Sequence, residues 1–194
     1  MAVIEDGKGS SRKATVDSEG RLHVHATSED EQHEAVEKGT SWNINTGSIT
    51  LTSGNKSSLL YVRNTGEDNL YIDTFIWLLG NSTGAVATED CLVQVYRNPT
   101  AGTLISGGTV LTPSNRNYGS ANILDATVLK GVEGSTITDG TVSIESIFNS
   151  SGRKVVVVPI ILPTGASMAA SVTPFTTNSN MDVQLAIAVH TSGE

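Results

Sequence analysis

Leu92-Val93-Gln94-Val95-Tyr96-Arg97-Asn98-Pro99 alternates apolar and polar residues over one short run and stops at a turn-forming pair. Side chains that alternate in this way line the two faces of a strand, one buried and one wet. The same pattern recurs on either side. Ser48-Ile49-Thr50-Leu51-Thr52 alternates, and Leu59-Leu60-Tyr61-Val62-Arg63 closes at Asn64-Thr65-Gly66. Leu70-Tyr71-Ile72 leads into Phe75-Ile76-Trp77-Leu78-Leu79, a run apolar enough to predict burial on both faces. Further strands are predicted at 103–105, 121–129, 154–162, 166–172 and 181–190. Pro159 removes a ladder donor inside one of them, which places an edge, bend or bulge there. Ile137-Thr138-Asp139-Gly140-Thr141-Val142 predicts a tight hairpin, because Asp-Gly suits a two-residue type I′ turn. Roughly nine to eleven strands at this spacing, with no βαβ rhythm and no fixed repeat, predict an all-β fold. We expect an antiparallel β-sandwich, jelly-roll-like, with an immunoglobulin-like sandwich as the alternative.

Residues 1–40 read as an extended N-terminal arm, and residues 41–194 as the sandwich domain. Within the arm, Ala14-Thr15-Val16 and Leu22-His23-Val24-His25 each suit a short strand. A helix is predicted over 28–38, where Ser28 caps and Glu31 stands three residues on. Its apolar residues are only Ala35 and Val36, so it docks weakly by itself.

Composition narrows the function. Aromatics are 5% and charged residues 16%, so the surface is built largely from Ser, Thr, Asn and Gly. Net charge is −8, and the basic pairs are Arg12-Lys13 and Arg153-Lys154, which argues against general nucleic-acid binding. No apolar run approaches the ~18 residues of a membrane helix. The first residues lack the apolar stretch of a secretory signal, so synthesis and folding in a host cytoplasm are expected. Cys91 is the one cysteine and sits in an apolar run, where a buried, unreactive thiol is expected.

Several motifs bear on chemistry. Gly80-Asn81-Ser82-Thr83-Gly84 matches the nucleophile elbow of hydrolases, but residues 85–91 show no helical pattern, so it reads as a loop. His23 and His25, with Glu29 beyond, and the later Pro163-Thr164-Gly165 resemble pieces of a cupin metal site. Met168 stands where that pattern needs a histidine. The acidic runs Glu29-Asp30-Glu31, Glu67-Asp68 and Glu89-Asp90 read as solvated loops. Trp42, Trp77, Tyr61, Tyr71, Tyr96 and Tyr118 offer aromatic faces for sugar stacking, with Tyr118 the best exposed candidate and Trp77 a core residue. No catalytic residue, cofactor or metal is predicted, and the chain is not expected to be an enzyme.

Phrases such as Leu60-Tyr61-Val62-Arg63-Asn64-Thr65-Gly66, Val95-Tyr96-Arg97-Asn98-Pro99-Thr100 and Leu162-Pro163-Thr164-Gly165-Ala166 resemble virion structural proteins of tailed bacteriophages. Gly107-Gly108-Thr109 with Pro113-Ser114-Asn115-Arg116-Asn117 does so too. The opening 13–22 segment is similar to N-terminal arms of such proteins. The resemblance is one of style and spacing across most of the chain. It implies a non-enzymatic virion component, a jelly roll, a homo-oligomer with trimer the expected count, and an arm that reaches a neighbour. A capsid decoration or cement protein bound to the major capsid protein is the leading expectation. A neck, tail or head-fibre subunit is the second, and a carbohydrate-binding adhesion module the third. Arg12, Lys13, Val16, Arg21 and Leu22 in the arm, and Asn115, Arg116 and Tyr118 in the domain, are the candidate contact residues.

Overall fold

The computed structural model describes residues 3–5, 13–16, 22–23, 31–52, 54–81, 90–148, 152–157, 159–176 and 181–192. The chain divides into two compact units, Met1–Glu31 and Gln32–Glu194. The first holds β1 (Val3–Glu5), β2 (Lys13–Val16) and β3 (Leu22–His23), an antiparallel sheet in sequence order.

Helix α1 (Glu31–Glu37) begins at the boundary. The principal strands follow: β4 (Ser41–Asn45), continued by β5 (Ile49–Leu51), then β6 (Ser57–Asn64), β7 (Leu70–Asn81) and β8 (Cys91–Arg97). An insertion after β8 carries α2 (Thr103–Gly107), β9 (Thr109–Val110), β10 (Ser114–Asn115) and β11 (Ala126–Lys130). The chain then resumes with β12 (Thr141–Phe148), β13 (Gly152–Val156), its continuation β14 (Ile160–Leu162), β15 (Ser167–Pro174) and β16 (Met181–Thr191).

One sheet runs β10-β4-β16-β7-β13, with β14 also on β7 and β5 also on β16. The other runs β12-β8-β15-β6-β11-β9. Setting the insertion aside, the successive strands β4, β6, β7, β8, β12, β13/β14, β15 and β16 fill one sheet as first-eighth-third-sixth. They fill the other as second-seventh-fourth-fifth. All pairings are antiparallel, and most connections cross between the sheets. That is the jelly roll of two interlocked Greek keys. The expected sandwich is thus present.

Alternation builds the core. Ile44, Phe75, Trp77, Leu185 and Ile187 of the first sheet face Val93, Val95, Phe148, Met168 and Val172 of the second, all buried. The Phe148 ring meets Trp77 edge-on with centroids 6.2 Å apart. A second, smaller core lies on the outer side of the second sheet. There Leu104 of α2 and Ile137 cover Tyr61, Tyr96, Leu129 and Ala169.

This second core corrects one expectation. The doubly buried strands are β6 and β15, roofed by α2 and the 131–138 segment. The run in β7 alternates instead: Phe75, Trp77 and Leu79 are buried, Ile76 is half-buried, and Leu78 is exposed.

Three local readings also change. Residues 103–105 are helical rather than extended. Gly102 enters α2 at φ 136°, and a Cβ there would meet the Thr136 carbonyl oxygen at 2.2 Å, so the turn requires glycine. Of the predicted 121–129 strand only 126–129 pairs, as part of β11 against β6. Asp139-Gly140 makes no hairpin, because 141–148 pairs with β8. The Asp139 carboxylate instead accepts the Thr100 and Ala101 N–H groups, each at 2.9 Å, and the Thr100 hydroxyl. These bonds hold its pKa below the usual value, the Thr100 hydroxyl contributing most. Pro159 does break its run, separating β13 from β14.

One buried polar pair links the longest strands. His190 Nδ1 lies 3.0 Å from Asp73 Oδ2, and its ring stacks on Tyr71 with centroids 4.9 Å apart. The pair sits where the β16–β7 register shifts between Ala188 and Val189. Asp73→Ala should cost about 2 kcal/mol, since it leaves a buried imidazole nitrogen without its partner. A urea titration followed by circular dichroism reads that cost; an unchanged midpoint would show the pair to be idle.

Candidate interaction surface

The polar insertion is tied to the start of the jelly roll by asparagine side chains. Asn115 Nδ2 donates to the Gly39 carbonyl at 2.8 Å and to the Asn122 carbonyl at 3.2 Å. Its Oδ1 accepts the Asn117 N–H at 2.8 Å, and Asn117 Nδ2 donates to the Glu37 carbonyl at 3.0 Å. Asn122 Nδ2 adds a bond to the Gly39 carbonyl at 3.3 Å. The Arg116 N–H donates to the Ser41 carbonyl at 2.9 Å, and its guanidinium to the Ser41 hydroxyl at 3.3 Å. Asn and Asp side chains favour such local backbone bonds, which is why the stretch folds as a pinned turn.

This geometry separates the three candidate residues of the domain. Asn115 and Arg116 spend their polar groups on the chain itself. Tyr118, at the tip of the turn, is 97% exposed, and Ile123, five residues on, is 80% exposed. A fixed backbone therefore presents bare apolar side chains, the arrangement that lowers the ordering cost of a contact. Ile123 carried no signal in the sequence, because nothing marked 121–125 as non-strand.

On the far edge of the sandwich a groove opens between β12 and β14. It measures about 520 Å³ and is lined by Arg97, Ile144, Pro159, Ile160, Leu162 and Met168, among others. Val142, Val157 and Ile161 stand exposed near its mouth. Sheet edges and exposed apolar groups mark contact surfaces.

Of the arm candidates, Lys13 and Val16 fall in β2 and Leu22 in β3, within the N-terminal unit. Arg12 and Arg21 lie outside the described residues. His25 and Glu29 do as well, while His23 is in β3. Pro163-Thr164-Gly165 is a turn: Gly165 has φ 80°, and the Thr164 hydroxyl donates to the Gly66 carbonyl at 2.9 Å. Met168 is core. Among the described residues no three His, Cys, Asp or Glu side chains converge as metal ligands. Ser82, Thr83 and Gly84 lie outside the described residues. Trp42, Trp77, Tyr61 and Tyr96 are buried, so these four form no exposed sugar-stacking platform. Cys91 is buried, and desolvation, with Asp90 adding to it, pushes its thiol up to about 11. No helix among the described residues is long and apolar enough to cross a membrane.

No protein-family model matches this sequence. No curated protein matches it either. Among solved structures, the VP2 subviral particle of infectious bursal disease virus is similar at 12% identity and a TM-score of 0.20, over 79% of this chain and 42% of that one. The adhesin domain K3 of Lys-gingipain from Porphyromonas gingivalis shows 17% identity and a TM-score of 0.19, over 77% and 63%. An expanded equine rhinitis A virus particle, a picornavirus capsid, shows 11% identity and a TM-score of 0.21, over 100% and 93%. This chain thus spans less than half of the VP2 chain. At these scores the similarities decide neither fold nor function.

Proposed function

We propose that the chain is a non-enzymatic structural component of a tailed-phage virion, in its most specific form a capsid decoration or cement protein. It binds the outer shell, and its N-terminal unit ties adjacent capsomers of the major capsid protein. The division of the chain carries this reading. Among the described residues, both core clusters of the jelly roll are built from residues 42–189. The N-terminal unit is a sheet of three strands of three, four and two residues. Its backbone register pairs Ile4 with Ala14 and Val16 with Leu22. So small a sheet needs a surface to pack on. An arm that gains stability only on docking makes attachment conditional on the right site.

The neutral polar surface and the pinned turn support the same reading, since both suit repeated packing against flat protein shells. The test is to remove residues 1–31 and assay binding to particles stripped of the protein; the expected result is argued in the Discussion. A neck, tail or head-fibre position is the second reading, separated from the first by where the protein sits on the particle.

A further inference from the structure

We propose that the space between the two sheets along β12 binds one long-chain fatty acid, its carboxylate on Arg97 and its acyl tail directed towards Trp77. The groove of about 520 Å³ between β12 and β14 is one end of this space. A second hollow, of about 180 Å³, continues it along β12, between Phe75 and Trp77 of the first sheet and Val93 and Phe148 of the second. The two share Val95 and Ile144 as walls. From Ser143 at one end to Phe148 at the other the extended strand measures about 17 Å, the reach of a long acyl chain. Concave apolar spaces of this size, with few polar groups, suit small apolar ligands.

The polar side chains of the groove select the head group. Asn98 Oδ1 accepts the Ser167 N–H at 3.1 Å, and the Ser167 hydroxyl donates to the Pro99 carbonyl at 3.1 Å. The Ser143 hydroxyl donates to the Val95 carbonyl at 3.1 Å, and the Tyr96 hydroxyl to Gln94 Oε1 at 2.7 Å. Arg97 is the exception: among the described residues its guanidinium has neither a hydrogen bond nor an ion pair. Alternation sets Arg97 on the same face of β8 as Val93 and Val95, so an unpaired cation stands at the end of an apolar trough. Glu145 does not compete for it. Its carboxylate accepts Gln94 Nε2 at 2.6 Å, and Gln94 lies on the opposite face of β8 from Val95. An anion with an apolar tail is the complement of this site. The strand edges argue against a polypeptide in its place. Strand addition needs an unbroken ladder. The β12 register shifts between Val142 and Ile144, and Pro159, which lacks an N–H, separates β13 from β14. An acyl chain needs neither donor nor acceptor from them.

The proposal concerns the isolated protein and stands apart from its place on a particle. The test titrates the full chain with cis-parinaric acid, a fatty acid whose fluorescence rises when it leaves water. Binding should saturate at one molecule per chain and be displaced by palmitate. The methyl ester of the probe keeps the tail and loses the charge, and should bind about tenfold more weakly or worse. Arg97→Gln, at an exposed site, should weaken the acid about tenfold and leave the ester unchanged. Lys154→Gln, level with Trp77 at the tail end, should change neither. Ile160→Trp, in the groove wall, should abolish binding of both while the circular dichroism spectrum stays that of the sandwich. No saturable binding, equal binding of acid and ester, an Arg97→Gln protein that holds the acid as the wild type does, or a folded Ile160→Trp protein that still binds would overturn the proposal.

Discussion

Trp77→Ala should lower the unfolding free energy by about 4 kcal/mol. The side chain is 1% exposed and stands in the middle of β7, between β13 and β16 and against the Phe148 ring of the opposite sheet. Truncation removes its apolar burial and leaves a cavity that strands fixed on both sides close only in part. The neighbour gives the contrast. Leu78 points to the outer face and is 38% exposed, so Leu78→Ala should cost well under half as much. Urea unfolding followed by far-ultraviolet circular dichroism reads both, since it does not depend on the lost indole. Equal losses at 77 and 78 would show that β7 is buried on both faces after all.

Removing residues 1–31 should abolish binding to stripped particles while leaving the jelly roll's thermal unfolding unchanged. The cut belongs after residue 31 and not after residue 40. The Glu37, Gly39 and Ser41 carbonyls accept the bonds that pin the 115–122 turn. Ala35 is buried, and its carbonyl accepts the Thr40 N–H at 2.8 Å. A deletion to residue 40 would strip these partners and confuse loss of the arm with damage to the domain. The reading is quantitative co-sedimentation of the truncated and full-length proteins. Retained binding by the truncated chain would remove the arm from the mechanism and place attachment on the jelly roll itself.

The fold class was legible because alternation is a local signal. Residues 92–96 and 181–189 show their buried face in the sequence itself. Burial on a second face was not legible, since a roof comes from elsewhere in the chain. Leu59-Leu60-Tyr61-Val62 and Phe75-Ile76-Trp77-Leu78-Leu79 look equally apolar, yet α2 covers only the first. Asp139-Gly140 shows a related limit. Its turn chemistry is real, but β12 gains a longer partner in β8, and the Asp139 carboxylate gains three donors around Thr100 and Ala101. The ties of residues 37 and 39 to the domain were not legible for the same reason, since they come from asparagines some eighty residues away.

At the candidate surface, composition was enough to single out the Asn115–Tyr118 stretch. It could not divide that stretch into pins and a tip, which is a matter of where each amide finds its partner. The groove was invisible because its walls come from β8, β12, β14 and β15, joined only by the folded topology.

Immunogold labelling of intact source particles, with antibody raised to residues 41–194, tests the central claim most directly. A shell-binding decoration protein predicts gold distributed over the whole head. Gold confined to one vertex or to the tail would contradict the decoration role and assign the protein to the neck or tail. No gold on any particle, with the epitope accessible in the free protein, would contradict the virion reading altogether.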